Sequence, residues 1–142
     1  MTRILVKRQT ALSPQAIWRS ISDLAAHPKW MRDAKWIVFV GDQTRGVGTR
    51  MRVRTVVGPL RLIDEMEVVG WDEGSFIEVE HRGVVKGTGR LSVDQSGAIT
   101  WEETLRFPWW LGGALGAGMA RPILRRLWAG NLRRLEETVS FP

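Results

Sequence analysis

Five turn signals divide residues 35–107 into six strand-length segments. The regular spacing of these turns constrains the fold more than any other feature of the sequence. Apolar residues alternate with polar ones along the segments, as they do in β-strands. The candidate strands cover residues 35–42, 47–57, 60–70, 75–82, 86–94 and 98–107. The turns lie at Gly41-Asp42, Gly58-Pro59, Asp72-Glu73-Gly74, Gly83 and Ser96-Gly97. Strands joined in this way predict an antiparallel meander.

A strand and two short helical segments precede the meander. Residues 2–10 alternate as a strand does. Ser13 and Pro14 are the residue types that occupy an N-cap and a first helical position, so a helix begins here. Residues 25–31 form a second short helical segment, which Pro28 interrupts.

A long amphipathic helix follows the meander. The Gly-rich stretch after Pro108 predicts an irregular segment, and Arg121-Pro122 then begins a helix that runs to about Val139. The apolar positions recur at helical spacing, at Leu124, Leu127, Trp128, Leu132, Leu135 and Val139. No break in composition divides the sequence, so we expect a single α+β domain over residues 1–142.

The composition excludes several classes of site. The sequence has no cysteine and two histidines, His27 and His81, which excludes a disulfide scaffold, thiolate metal sites, a cysteine nucleophile and a multi-histidine metal centre. The net charge of +6 permits nucleic acid, anionic membranes or acidic ligands as partners, but no nucleic-acid-binding motif is present. Charges interrupt the N-terminal apolar residues, and no apolar run reaches the ~20 residues of a membrane span. We expect a cytoplasmic protein without metal or cofactor.

A few short motifs accompany this order of elements. They are Ala16-Ile17-Trp18, Asp23 with Trp30, Gly46-Val47-Gly48-Thr49 before a strand, Trp101, and Asn131-Leu132-x-x-Leu135-Glu136. With them the whole chain resembles the START-like helix-grip superfamily, which includes polyketide cyclase/dehydratase-like proteins, lipid-transfer START domains and relatives of pollen allergens. The resemblance implies a curved antiparallel sheet of about seven strands wrapped around the long C-terminal helix, with a hydrophobic tunnel between them. Function diverges within the superfamily, so the resemblance supports the fold more than any one activity.

The first hairpin predicts which side chains face this helix. A turn at Gly58-Pro59 places Arg52 opposite Glu65 and Arg50 opposite Glu67, two opposite-charge pairs that belong in solvent. Because side chains alternate along a strand, their neighbours in the sequence then point inward.

The second hairpin brings polar groups to the inward face. A turn at residues 72–74 places Met66 opposite Val79 and Asp64 opposite His81. Asp64 and His81 can act as a functional acid and imidazole. There are two structural alternatives: a buried pair that only hydrogen-bonds to each other, or a strand shifted by one residue so that both groups face water.

Glu103 is a third polar candidate, because it shares a strand face with the apolar Trp101. Glu102 precedes it directly, so an exposed Glu103 and an inward Glu102 are the alternative. Gly87 and Gly89 on the neighbouring strand leave room there. We therefore predict a mostly apolar cavity with a few polar groups in its wall. Its predicted lining is Trp30, Met51, Val53, Leu62, Asp64, Met66, Val79, His81, Trp101, Glu103, Trp128 and Asn131. Core packing is the alternative for Trp30 and Trp101, and a buried hydrogen bond is the alternative to a ligand contact for Asn131.

Three functional hypotheses follow. The first is a binding protein for a hydrophobic small molecule such as a lipid, isoprenoid, quinone or polyketide. The second is a polyketide cyclase, aromatase or dehydratase in which Asp64 orients His81 and Glu103 is a second acid/base.

The third hypothesis is a peripheral membrane or protein-interaction domain. Trp109-Trp110-Leu111 next to two glycines suits a cavity lid or a membrane-touching edge, with ordinary loop packing as the alternative. The arginines of the last helix form a basic stripe that can attract anionic lipid, or else a solvated face balanced by Glu136 and Glu137. The ligand and the oligomeric state stay open.

Overall fold

The computed structural model describes residues 1–141 of the chain. The strands are β1 (Thr2–Gln9), β2 (Ala34–Phe39), β3 (Arg50–Val57), β4 (Leu60–Asp72), β5 (Phe76–Arg82), β6 (Lys86–Val93) and β7 (Ala98–Arg106). These seven antiparallel strands form one sheet in the order β1-β7-β6-β5-β4-β3-β2, and the sheet curves around a long C-terminal helix. The helices are α1 (Pro14–Ser22) and α2 (Gly113–Ser140), with short 3₁₀ helices at Leu24–Lys29 and Trp109–Leu111. The predicted helix-grip fold is confirmed.

Local sequence accounts for the start of α1. The Ser13 hydroxyl accepts a hydrogen bond from the Ala16 backbone N–H at 3.2 Å, and Pro14 occupies the first turn, where its missing N–H costs nothing. Ile17 and Ile21 then lie one turn apart and are fully buried in the core between the sheet and the helices. Within residues 1–141, no helix has the length and apolar character needed to cross a bilayer.

The register of the first hairpin matches the prediction. Arg52 pairs with Glu65 and Arg50 with Glu67 across β3 and β4. Their charged groups lie on the outer face, with nitrogen–oxygen distances of 3.5 Å and 3.9 Å.

The second hairpin differs from the prediction by two residues, since Met66 lies opposite His81 and not opposite Val79. The last pair of the hairpin is Asp72 with Phe76, so the turn lies later in the sequence than predicted. A β-bulge between Val68 and Gly70 then reduces the resulting register shift by one residue. Because the net offset is even, the inward face is unchanged.

Helix α2 begins at Gly113, eight residues before the predicted start at Arg121. The Gly-rich segment is therefore helical and not irregular. Gly116 permits a close contact there, because a Cβ on it would lie 2.0 Å from the Leu111 carbonyl oxygen. Pro122 lies inside the helix on its exposed side, where water can bind the carbonyl that loses its N–H partner.

Strand β2 is shorter than predicted and ends at Phe39. Strand β3 begins at Arg50, so the Gly46-Val47-Gly48-Thr49 motif belongs to the preceding connection.

Candidate functional site

A cavity of about 170 Å³ lies between the inner face of the sheet and α2. Its walls are mostly apolar, with a small group of charged side chains. Ten of the residues predicted for the lining are found there: Met51, Val53, Leu62, Asp64, Met66, Val79, His81, Trp101, Glu103 and Trp128.

The cavity extends to one end of the sheet. The β3–β4 turn, the β5–β6 turn and the end of β7 meet at this end, because successive strands run antiparallel. Apolar side chains there line the cavity and are partly exposed, which marks this end as its mouth. They are Val57, Leu60, Val85 and Phe107.

His81 lies between two carboxylates inside the cavity. Its Nδ1 is 2.9 Å from Asp64 Oδ2, and its Nε2 is 2.7 Å from Glu103 Oε2. Asp64, His81 and Glu103 are 9%, 7% and 6% exposed. The three residues come from β4, β5 and β7, so the sheet assembles the cluster from side chains distant in sequence.

The two carboxylates determine the charge of His81. Burial opposes the charged imidazole, but the negative charge of Glu103 and hydrogen bonds with Asp64 and Glu103 outweigh it and raise the pKa of His81 well above its ordinary value of 6.5. Near neutral pH, His81 is therefore an imidazolium that donates from both ring nitrogens.

The carboxylates differ in how many of their oxygens are occupied. Glu103 Oε1 accepts a hydrogen bond from Trp101 Nε1 at 3.0 Å, so both of its oxygens have partners. Asp64 Oδ1 is buried and has no hydrogen-bond partner among residues 1–141. Asp64 therefore has a free acceptor oxygen, whereas His81 has no free ring nitrogen.

Two residues predicted for the lining lie elsewhere. Trp30 is 1% exposed and packs edge-on against Trp101 with ring centroids 6.2 Å apart, behind the cavity wall. Asn131 is fully buried and ties α2 to the chain before β2. Its Nδ2 donates to Asp33 Oδ1 at 2.7 Å, and its Oδ1 accepts from the Arg32 backbone N–H at 3.1 Å. Both side chains are buried in contacts with the core, and neither lines the cavity.

Asp33 lines the cavity and was not predicted to do so. The carboxylate of Asp33 accepts a hydrogen bond from Asn131 Nδ2 and a second one from Trp128 Nε1, at 3.1 Å. The spacing of Trp128 and Asn131 was the sequence signal for such an acceptor. Residues three apart on a helix lie on one face, so the two side-chain donors together require an acceptor nearby.

His27 also lines the cavity and was not predicted to do so. Its Nε2 donates to the Ile21 carbonyl at 2.8 Å. Burial lowers the pKa of His27, so this imidazole is neutral near pH 7, in contrast to His81.

The predicted lid does not touch the cavity. Trp109 and Trp110 are 87% and 59% exposed, and neither they nor Leu111 belong to the cavity lining. The 3₁₀ helix that contains all three directs the two indoles to solvent.

Solved structures of several proteins share this fold. A ginseng major latex-like protein from Panax ginseng superposes with a TM-score of 0.78 at 10% identity, over 99% of this chain and 98% of its own. TTHA0849 from Thermus thermophilus gives a TM-score of 0.71 at 18% identity, over 98% of this chain and 97% of its own.

A third similar structure is StfQ, a di-domain ARO/CYC protein from the steffimycin biosynthetic pathway. It gives a TM-score of 0.75 at 13% identity, over 97% of this chain and 50% of its own. Among curated proteins, none matched the sequence. The profile of one family, described as polyketide cyclase / dehydrase and lipid transport, matches residues 1–140. The chain therefore belongs to the polyketide cyclase / dehydrase and lipid transport family.

Proposed function

We propose that the protein binds a largely apolar small molecule that carries one hydrogen-bond donor, and that the donor binds Asp64 Oδ1. The observation that carries this proposal is a buried acceptor without a partner in the wall of an otherwise apolar cavity. An unpaired buried polar atom costs about 1–3 kcal/mol, which a ligand hydroxyl recovers on binding.

The volume of the cavity favours a small ligand. An apolar cavity of about 150 Å³ holds a benzene molecule, whereas drug-sized ligands occupy pockets of about 300–1,000 Å³. At about 170 Å³, the cavity matches the smaller class. Met31, Met51 and Met66 line it, and their unbranched side chains can change rotamer to admit a longer isoprenoid, quinone or polyketide.

Native mass spectrometry of the freshly purified protein tests occupancy directly. We expect a co-purified apolar compound, and an apo mass combined with no binding in the titration below overturns the proposal.

The titration uses 1-naphthol and naphthalene, which differ by one hydroxyl. Trp101 and Trp128 stack with centroids 4.9 Å apart in the cavity wall, so their fluorescence reports binding. We expect 1-naphthol to bind at least about fivefold more tightly, the equivalent of about 1 kcal/mol. Val53→Phe fills the cavity and is expected to abolish binding, whereas Val38→Phe on the outer face of β2 is the control. Equal affinity for the two probes removes the role of Asp64, and equal binding by the two variants removes the cavity as the site.

The buried cluster also favours a second candidate function, proton transfer at a carbon next to a carbonyl. Asp64 Oδ1 takes the proton, the electron pair of the broken C–H bond forms an enolate, and the positive charge of His81 stabilises the product. Asp64 is the base here because His81 has no free nitrogen. This assignment differs from the predicted one, in which Asp64 only orients His81. Return of the proton to another carbon completes an isomerisation. In a cyclisation the enolate carbon forms a bond with a second carbonyl carbon and the proton passes to the new alkoxide; in a dehydration the C–O bond of a β-hydroxyl breaks and the proton leaves with it as water.

Exchange of the α-protons of 2-tetralone in D₂O, followed by NMR, tests this candidate. We expect the protein to accelerate exchange and Asp64→Asn to reduce the acceleration by about 100-fold or more. Glu102→Gln changes a carboxylate on the outer face of β7 and is expected to have no effect. Exchange at the buffer rate, or an equal rate with Asp64→Asn, contradicts an enzymatic role.

A further inference from the structure

Arginines converge on a groove along the exposed side of α2, away from the cavity. The groove has a volume of about 850 Å³ and is formed by β1, the segment before β2 and α2. Its arginines are Arg8, Arg32, Arg126, Arg133 and Arg134.

The positive charge of this groove is only partly balanced. Arg8 pairs with Glu136 at 2.8 Å, and Arg133 approaches Glu137 at 3.9 Å. Within residues 1–141, Arg32, Arg126 and Arg134 form no ion pair with a carboxylate. Burial and the nearby charges of Arg32 and Arg133 lower the pKa of Arg134, as expected where like charges converge. An anion in the groove relieves this repulsion.

The charge asymmetry extends well beyond the groove. No acidic residue occurs between Thr104 and Leu135, although this stretch contains six arginines. A partner that meets this side of the molecule therefore meets mostly positive charge, with Glu136 and Glu137 following at the C-terminal end of the stretch.

An apolar ridge continues the groove toward the N-terminus of α2. Leu115, Met119 and Ile123 follow one another at four-residue spacing, which places them on one side of the helix, and they are 74%, 69% and 61% exposed. The exposed indoles of Trp109 and Trp110 lie directly before the helix. Large apolar side chains this exposed mark an interaction surface.

We propose that the arginine groove and the apolar ridge together dock onto a membrane that contains anionic phospholipid. The guanidinium groups bind headgroup phosphates, and the ridge and the two indoles enter the boundary between headgroups and acyl chains. Charge complementarity favours this partner, because an anionic bilayer offers phosphates beside an apolar layer. Nucleic acid offers the phosphates but leaves the ridge in water.

Docking in this way places the mouth of the cavity near the bilayer. Phe107 lies at the mouth and Trp109 is two residues further along the chain. Leu124 lines the cavity from α2, next to Ile123 of the ridge. The docking surface itself does not depend on what the cavity holds.

Co-sedimentation with vesicles tests the proposal. We expect binding to vesicles of phosphatidylcholine mixed with phosphatidylglycerol, weaker binding as salt is added, and none to phosphatidylcholine alone. The double variant Arg32→Gln/Arg126→Gln is expected to lose about tenfold or more in vesicle affinity. Met119→Ser/Ile123→Ser is expected to lose affinity without a change in net charge. Circular dichroism checks that each variant is folded.

The matched control is Arg50→Gln/Arg52→Gln, which removes the same charge from the outer face of β3. An equal loss in this control shows that only net charge matters and overturns the docking surface. Absence of sedimentation with anionic vesicles also overturns it, as does displacement by inorganic phosphate with no effect of the ridge variant. Tighter binding to a single-stranded RNA than to anionic vesicles identifies a different partner and contradicts the proposal. Val53→Phe is expected to bind vesicles like the wild type, so failure here is distinct from failure of cavity binding.

Discussion

A Cβ atom on Gly89 would lie 2.4 Å from Oε2 of Glu103, which is directly opposite it on the neighbouring strand. The carboxylate of Glu103 occupies the space that a side chain on β6 would fill. Through this space it reaches across β6 to His81 on β5. The charged cluster in the cavity therefore depends on a glycine that has no charge of its own.

Gly89→Ala is expected to displace the Glu103 carboxylate and lengthen its hydrogen bond with His81. We expect a loss of about 1–3 kcal/mol in the free energy of unfolding, measured with urea, because a buried charged bond is weakened. The matched control is Gly118→Ala on α2, where a Cβ meets no atom within 4 Å. Alanine there is expected to stabilise the protein by up to about 1 kcal/mol. Equal stability of Gly89→Ala and wild type contradicts the steric argument.

The raised pKa of His81 predicts a loss of stability at alkaline pH. Because the folded state holds the proton more tightly than the unfolded state, the contribution of His81 is complete below the ordinary pKa of 6.5 and is lost as pH rises through the folded pKa. Urea unfolding from about pH 6 to about pH 10 measures this slope. NMR titration of the His81 ring in the wild-type protein gives the folded pKa directly. A substitution of His81 is unsuitable here, because it would leave the carboxylates of Asp64 and Glu103 without their partner. A folded pKa at or below 6.5 contradicts the ion-pair description.

His27 predicts the opposite slope at acidic pH. Burial lowers the pKa of this imidazole in the folded state, so the unfolded state binds its proton first and stability falls as pH drops below about 6.5. His27→Gln retains a donor for the Ile21 carbonyl and removes the titration. We expect the variant to lose less stability than wild type between about pH 7 and about pH 5. An unchanged slope assigns the acid sensitivity to other groups.

Asn131→Ala separates a structural role from ligand binding. The change leaves the Asp33 carboxylate and the Arg32 backbone N–H without this partner, and each loss is expected to cost about 1–3 kcal/mol in the free energy of unfolding. Since Asn131 does not line the cavity, the Kd for 1-naphthol is expected to stay within about twofold of the wild-type value. A large loss of affinity in a folded variant places Asn131 in the binding site after all.

The sequence by itself determined which residues face inward. Alternation along a strand is a local property with a period of two, so the apolar neighbours of Asp64, His81 and Glu103 predicted an inward position for all three side chains, and the structure buries them. A shift of one residue was the alternative for Asp64 and His81, and an inward Glu102 was the alternative for Glu103. Capping chemistry is equally local, which is why α1 begins at Pro14 as predicted.

Only the tertiary structure decided which inward residues touch. The bulge after Val68 and the later turn set the pairing of β4 with β5. Gly70 is a residue type typical of bulges, but the sequence pattern placed it at the end of the strand and not inside it. Helix α2 extends through a segment whose glycines disfavour a helix, and Ala117 of this segment is buried, because tertiary packing outweighs intrinsic propensity. The contact of Glu103 with His81 across an intervening strand requires the whole sheet, since it joins residues that no single hairpin brings together.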